Sequence, residues 1–389
     1  MIGLVLIRTC RAIAMTCCLL QLAPAAAQVR TAPTIDSQSA IPIPKEILRD
    51  WRKIEPARGV EELKQIEIGG INQWISVRGR DRRNPILLFI HGGPGVPEMP
   101  ASWTYQSPWE DYFTVVQWDQ RGAGKTGAAN DAKAVAPTIS VDRMVADAEE
   151  LVTFLRKAYG KEKIYVLGHS WGSVIGLRLA QNHPEWLHAY IGMGQVIYMQ
   201  DNERLGYEFA LRQARLRGNA QAQKELEAIA PYPGPLGPAL LGKVGIQRKW
   251  VIEFGGLTWG RSDFKYEEKL ALLSPDYIDG DSEGSDFAAT LTRLAPALIA
   301  TDFRSIGRLE CPTFIFAGRY DYETPSAVAA EWIRKLKAPK KDIFWFEHSA
   351  HMMQQEQPGK VFMHLVRDIR PLAVSAGDAA PEDVPGEGG

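Results

Sequence analysis

The sequence has little cysteine and no excess of either charge. Only four of its 389 residues are cysteines, and Cys10, Cys17 and Cys18 all precede a predicted cleavage site after residue 27. Cys311 would then remain alone, so no internal disulfide could form and the hydrophobic core must hold the fold. Lysine and arginine total 45 against 46 aspartates and glutamates, a balance that favours no nucleic-acid partner.

Patterns for cofactor binding are also missing. No His, Cys or carboxylate cluster has the spacing of metal ligands. Lys125-Thr126 follows glycines, but the spacing does not match that of a phosphate-binding loop. We therefore expect no metal, no nucleotide and no other cofactor.

The first 27 residues have the pattern of a secretory signal peptide. Arg8 and Arg11 precede the apolar run Ala12–Leu22, and small residues ending at Ala27 follow as a cleavage site. The alternative is an uncleaved anchoring helix, but a bilayer span needs about 20 apolar residues and this run is shorter. We expect export to a periplasm or out of the cell, with no stable membrane insertion after cleavage.

The rest of the chain alternates apolar segments of strand length with amphipathic segments of helix length. Ile86–Ile90 and Ile164–Leu167 are continuous apolar runs, typical of strands buried on both faces. Between them, residues 140–159 have the period of a helix, with Ser140 as a candidate N-cap. This alternation predicts an α/β fold, a mostly parallel sheet flanked by helices.

Residues 197–305 interrupt the alternation. They contain helical stretches at 202–217, 221–229 and 287–299 and a turn-rich segment at 231–235. We interpret them as a helical cap inserted over the carboxyl edge of the sheet, between core segments 28–196 and 306–372. The proline-, glycine- and acid-containing residues 373–389 predict a disordered tail.

The candidate nucleophile is Ser170, in the sequence Gly-His-Ser-Trp-Gly at residues 168–172. The G-x-S-x-G pattern alone is weak, but here it lies between a buried strand and a helix. A sharp strand-to-helix turn exposes its serine, and the flanking glycines avoid clashes there. This context predicts the α/β-hydrolase fold with Ser170 as a catalytic serine.

A serine nucleophile needs a base, and the base needs an acid to orient it. His351 follows the predicted strand Ile343–Phe346 and is the candidate base, with His348 as its competitor. Asp321 follows the preceding strand and is the candidate acid, in the order Ser, Asp, His of this fold. Glu323 is the alternative acid, although it is also well placed to favour the start of a helix.

The oxyanion of the tetrahedral intermediate needs two preorganised N–H donors. One is the backbone N–H of Trp171, directly after the nucleophile. The other is expected from the glycine-rich loop after Ile86–Ile90, with Gly93 as the donor.

Four motifs together resemble the prolyl iminopeptidase family: His-Gly-Gly-Pro-Gly at 91–95, Asp-Gln-Arg-Gly at 119–122, the serine motif at 168–173, and Gly-Arg-Tyr-Asp at 318–321. The resemblance covers about residues 60 to 370 apart from the cap. It implies a cofactor-free hydrolase that removes an N-terminal residue, often proline, and that holds the free amino group with acidic residues of its cap.

The cap contains Glu203, Glu208 and Glu253, and none lies in a stretch that matches the family's amine site. Glu253 lies among aromatic residues, and we predict it as the anchor of the amine. The leading interpretation is an aminopeptidase acting on short peptides or similar small molecules. A carboxylesterase or lactonase is the alternative, because acyl-transfer machinery does not select the leaving group. A non-catalytic binding protein is a further alternative, but it would not need the predicted triad together with both oxyanion loops.

Overall fold

The computed structural model describes residues 44–235, 238–277, 281 and 287–381. The predicted signal peptide and residues 28–43 lie outside the described residues. Eight strands form one sheet: β1 Val60–Ile68, β2 Ile71–Gly79, β3 Ile86–Ile90, β4 Thr114–Trp118, β5 Ile164–His169, β6 Leu187–Met193, β7 Thr313–Gly318 and β8 Lys341–Phe346. Their order across the sheet is β1-β2-β4-β3-β5-β6-β7-β8.

The sheet is parallel from β4 to β8 and antiparallel at its other end. Strands β1 and β2 form a hairpin, and β2 pairs antiparallel with β4. All later pairings are parallel. Every residue of β3, β4, β5, β6 and β7 is buried, which explains their uninterrupted apolar runs.

Helices connect the strands and cover the sheet. Those outside the cap are α1 Pro44–Trp51, α2 Gly124–Ala128, α3 Ala132–Val135, α4 Val141–Ala158 and α5 Trp171–Asn182 before β6. After β7 come α11 Ser326–Lys335, α12 Met353–Glu356, α13 Pro358–His364, a π-helical turn Leu365–Ile369 and α14 Pro371–Ser375. The side chain of Ser140 caps α4 by accepting the N–H of Arg143 at 3.2 Å, as predicted.

Two apolar clusters lie against opposite faces of the sheet. One contains Leu88 with residues of α4, α5 and α11, and the other contains Phe89 with residues of α13 and α14. Leu88 and Phe89 are adjacent in β3, so their side chains point to opposite faces. The predicted α/β-hydrolase architecture, a mostly parallel sheet flanked by helices, is confirmed.

Five described helices lie between β6 and β7, where the sequence predicts the cap. They are α6 Met199–Leu216, α7 Ala220–Ala228, α8 Pro238–Glu253, α9 Lys265–Leu272 and α10 Phe287–Ile299. Their residues form most of a third apolar cluster, which includes Phe209, Leu226 and Val251. We call these helices and their connecting loops the cap.

Residues 373–381, which the sequence predicts as the start of a disordered tail, contact the core in the structure, whereas residues 382–389 lie outside the described residues. Ala373 is fully buried within α14. Beyond that helix, Asp378 pairs with Lys161 at 2.5 Å and with His188 at 2.8 Å. The sequence did not predict these contacts, because the composition of residues 373–389 does not show which of them pack against the core.

Candidate active site

The site residues predicted from the sequence lie in loops after four parallel strands. Gly93 follows β3, Ser170 follows β5, Asp321 follows β7 and His351 follows β8. Because parallel strands share one carboxyl edge, the sheet brings these four loops together beneath the cap.

Ser170 lies at the sharp turn between β5 and α5. Its φ of 54° makes it the one non-glycine residue with positive φ among the described residues. The backbone approaches closely around it: a Cβ at Gly172 would lie 2.0 Å from the carbonyl oxygen of Ile90, and one at Gly168 would lie 2.5 Å from that of Gly172. Both positions require glycine, which explains the G-x-S-x-G spacing.

His351 and Asp321 form a buried pair, each only 3% exposed. Nδ1 of His351 lies 2.8 Å from Oδ2 of Asp321. Burial alone would lower the pKa of His351, but the charge and hydrogen bond of Asp321 outweigh it and raise the pKa. The Asp321 carboxylate therefore stabilises an imidazolium, as the acid of a Ser-His-Asp triad must.

Two residues that the sequence analysis did not identify hold this pair. Thr324 donates its backbone N–H to Oδ1 of Asp321 at 2.8 Å and its hydroxyl to Oδ2 at 3.0 Å. Nε2 of His169 lies 3.0 Å from the backbone carbonyl oxygen of His351, and the two rings are 4.8 Å apart. Burial lowers the pKa of His169 to about 3, so this ring stays neutral and can donate to that carbonyl.

The two candidate oxyanion donors line the same cavity as Ser170. Trp171 is the first residue of α5, and the N–H groups of a first helical turn have no partner within the helix. Gly93 has a φ of 110°, which favours glycine. The N-terminus of α5 also provides a favourable potential for a developing negative charge.

Gln120 connects the two oxyanion loops, which explains part of the Asp-Gln-Arg-Gly motif. Its side-chain oxygen accepts from the indole N–H of Trp171 at 3.0 Å, and its amide donates to the carbonyl of His91 at 2.9 Å. His91 is buried, and burial lowers its pKa to about 4. A neutral His91 can accept the backbone N–H of Gln120 while donating to the carbonyl of Gly92.

A cavity of about 510 Å³ lies over Ser170 between the core and the cap. Most of its wall is apolar and includes Val196, Met199, Val244, Phe287, Leu291 and Ile299. One part is charged: Arg248 pairs with Glu203 and with Glu323, each at 2.6 Å. Glu203 also accepts the hydroxyl of Tyr232.

Glu323, the alternative catalytic acid, does not contact His351 in the hydrogen bonds of the described residues. Its carboxylate pairs with Arg248 of the cap, whereas its backbone N–H donates to Oδ1 of Asp321 at 3.0 Å. Oε2 of Glu323 is buried and has no hydrogen-bond partner. Burial raises the pKa of this carboxyl, against the opposing effect of Arg248.

The structure does not bring Glu253 to the cavity of Ser170. Glu253 is exposed at the end of α8 and lines a separate depression with Arg217 and Arg261, so the structure does not support its prediction as the amine anchor. Glu208 is exposed and pairs with Arg204. His348, the competing base, is exposed, and its ring lies 5.1 Å from that of Trp259, outside the cavity that contains Ser170.

The described residues contain no group of three or more His, Cys, Asp or Glu side chains that could hold a metal ion. Within the same ranges, no helix combines the length and apolar character needed to cross a membrane.

Comparisons with known proteins agree with this architecture. The profile of the alpha/beta hydrolase fold family matches residues 85–358. The probable aminopeptidase YbaC of Bacillus subtilis (strain 168) is 28% identical over 331 residues, which cover 82% of this chain and 99% of the relative. A proline iminopeptidase of Neisseria meningitidis is 28% identical over 265 residues, covering 66% of this chain and 80% of the relative.

A solved structure shares the fold. The proline iminopeptidase-related protein of Thermus thermophilus superimposes with a TM-score of 0.59 at 19% identity, covering 80% of this chain and 99% of that one. The resemblance to the prolyl iminopeptidase family is thus confirmed by relatives of that name. The chain belongs to the α/β-hydrolase fold family and is a hydrolase of the serine type.

Proposed function

We propose that this hydrolase is an aminopeptidase that removes an N-terminal proline or small apolar residue from short peptides. The observation that carries the proposal is the charged part of the Ser170 cavity. Glu203 and Glu323 together bring two negative charges and Arg248 one positive charge, so one negative charge remains when both carboxyls are ionised. A substrate ammonium would balance it.

The unpartnered carboxylate oxygen of Glu323 would accept a hydrogen bond from that ammonium. Oε2 is buried without a partner, and a buried acceptor without a hydrogen bond costs about 1–3 kcal/mol, more if charged. An ammonium group would supply the missing donor and favour the ionised form of Glu323. The apolar wall would receive the side chain of the N-terminal residue, and the enclosing cap would exclude folded proteins.

The reaction would proceed through an acyl-enzyme. Oγ of Ser170 attacks the first peptide carbonyl while His351 takes its proton, and the oxyanion is stabilised by the N–H groups of Gly93 and Trp171. His351 then gives the proton to the leaving amine as the C–N bond breaks. Water, deprotonated by His351, then attacks the ester, and His351 returns the proton to Oγ of Ser170 as the ester C–O bond breaks and the free amino acid leaves.

A carboxylesterase or lactonase is the second candidate. Arg248 already pairs with both glutamates, and most of the cavity wall is apolar. An acyl chain without an amine would therefore also find a compatible surface.

One assay separates the two candidates. Proline, alanine and leucine anilides, each with its amine free and blocked, are compared with short p-nitrophenyl esters, using Ser170→Ala as the blank. We expect Ser170-dependent cleavage of free-amine anilides and none of the blocked ones. Cleavage of esters alone, regardless of an amine, would refute the peptidase proposal and favour the esterase.

We also propose that the protein is exported, to a periplasm or out of the cell. The support is the basic, apolar and small-residue order of residues 8–27.

A further inference from the structure

We propose that Glu356 is a positioning residue that couples the cap to the catalytic base. It lies five residues after His351, at the end of α12, and does not line the cavity of Ser170. Its carboxylate joins the loop that carries the base to a loop of the cap.

The carboxylate of Glu356 uses both oxygens for backbone N–H groups. Oε2 accepts the N–H of Ala350 at 2.8 Å, directly before His351. Oε1 accepts the N–H of Trp259, which belongs to the cap loop after α8. The positions of the His351 imidazole and of this cap loop therefore depend on the same side chain.

Two further backbone hydrogen bonds extend the connection. The N–H of His351 donates to the carbonyl of Leu257 at 3.0 Å, and the N–H of Tyr322 donates to the carbonyl of Gly256 at 3.0 Å. Tyr322 directly follows Asp321. The loop 256–259 thus contacts the chain beside the acid, the base itself and, through Glu356, the residue before the base.

Only a carboxylate can serve both N–H groups. Glutamine would accept from one of them with its oxygen and would present its own NH₂ donors to the other. Glu356 is partly buried, and burial raises the pKa of its carboxyl to about 6 against the opposing effects of the two N–H groups and of nearby Arg261. Near neutral pH it is therefore mostly ionised and can accept both hydrogen bonds.

The test uses a small fluorophosphonate that reacts with the active serine and needs no amine recognition. Its rate of inactivation is measured against pH for wild type, Glu356→Gln and the control Glu347→Gln, all well below their melting temperatures. Glu347 is exposed in the same region and pairs only with Arg319 in the contacts described. This rate requires the base but is indifferent to whether the natural substrate is a peptide or an ester.

We expect Glu356→Gln to lower the inactivation rate at least about tenfold. We also expect the acid limb of its pH profile to move to lower pH, because an imidazole displaced from Asp321 loses the interaction that raises its pKa. Glu347→Gln should match wild type. A lower melting temperature with an unchanged rate and unchanged acid limb would overturn the proposal and make Glu356 a purely structural residue.

If Glu356→Gln does not fold, Glu356→Asp replaces it, because the shorter carboxylate keeps the charge but cannot reach both N–H groups as well. The same slower inactivation and displaced acid limb are expected, to a smaller extent. A folded Glu356→Asp enzyme with the wild-type rate and profile would refute the coupling.

Discussion

The side chain of Gln120 accepts the indole N–H of Trp171 at 3.0 Å. Through its amide, the same residue holds the carbonyl of His91 at 2.9 Å. The loop after β4 thus supplies a brace between the two loops that carry the candidate oxyanion donors. The brace comes from Gln120, which does not line the cavity of Ser170.

Gln120→Ala should therefore reduce kcat about tenfold or more, because misplaced oxyanion donors lose stabilisation of the transition state. KM should change less. The measurement is steady-state turnover on the best substrate found, with circular dichroism to establish folding. Trp171→Phe keeps the backbone donor but loses the indole N–H, so it should show part of the same kcat effect. An unchanged kcat in both variants would contradict the role of this brace.

Asp321→Asn should reduce kcat by about 10³- to 10⁴-fold, because the imidazole loses both its orientation and its charge partner. Glu323→Gln keeps Asp321 and its contact to His351, so its kcat on an amine-free ester should stay within about threefold of wild type. Equal losses from the two substitutions on that ester would contradict the assignment of Asp321 as the acid.

The pH profile should have its acid limb above pH 6.5. His351 must be neutral to act as a base, and its pKa is raised by Asp321, so activity is lost as the pH falls through that raised value. In Asp321→Asn the residual activity should show its acid limb below pH 6.5, since burial alone lowers the pKa. An acid limb that does not move would show that another group controls it.

If Glu323 binds the substrate ammonium, its replacement should change KM only for substrates with a free amine. Glu323→Gln should raise KM for free-amine substrates about 10- to 100-fold, the equivalent of losing one buried hydrogen bond between charged groups. Rates on blocked-amine or ester substrates should be little affected. Glu253→Gln, a cap glutamate outside the cavity, is the matched control and should behave as wild type. If Glu253→Gln raised KM instead, the amine would bind elsewhere.

Export predicts a defined N-terminus. When the full-length gene is expressed in a host with a secretory pathway, intact mass spectrometry should find a protein beginning at Gln28, outside the cytoplasm. Arg8 and Arg11 replaced together by glutamate should reduce processing. A mature protein that retains residues 1–27 in the cytoplasm would refute the proposal.

Much of the core could be predicted because its signals are local. The strand Ile86–Ile90 and the helix Phe287–Ile299 have the predicted bounds, and Ser170 lies at the expected turn. A strand buried on both faces has an uninterrupted apolar run, and a nucleophile elbow needs glycines at fixed offsets. Both requirements are visible within a few residues.

The charged part of the cavity could not be predicted in the same way. Arg248 lies in α8, which is not among the helical stretches predicted from the sequence. Gly242 and Gly245 within α8 weaken its helical pattern. The Arg248 partners Glu203 and Glu323 are 45 and 75 positions away. Such contacts arise from the packing of the cap on the core, for which periodicity contains no signal.

The most direct test of the central claim is to trap the acyl-enzyme on Ser170. The protein is mixed with an alanine or proline p-nitrophenyl ester, quenched in acid within milliseconds to seconds, digested and analysed by mass spectrometry. We predict an added aminoacyl mass on the peptide that contains Ser170, absent in Ser170→Ala. Ser170-independent turnover, or an aminoacyl group on a different peptide, would contradict the assignment of Ser170 as the nucleophile.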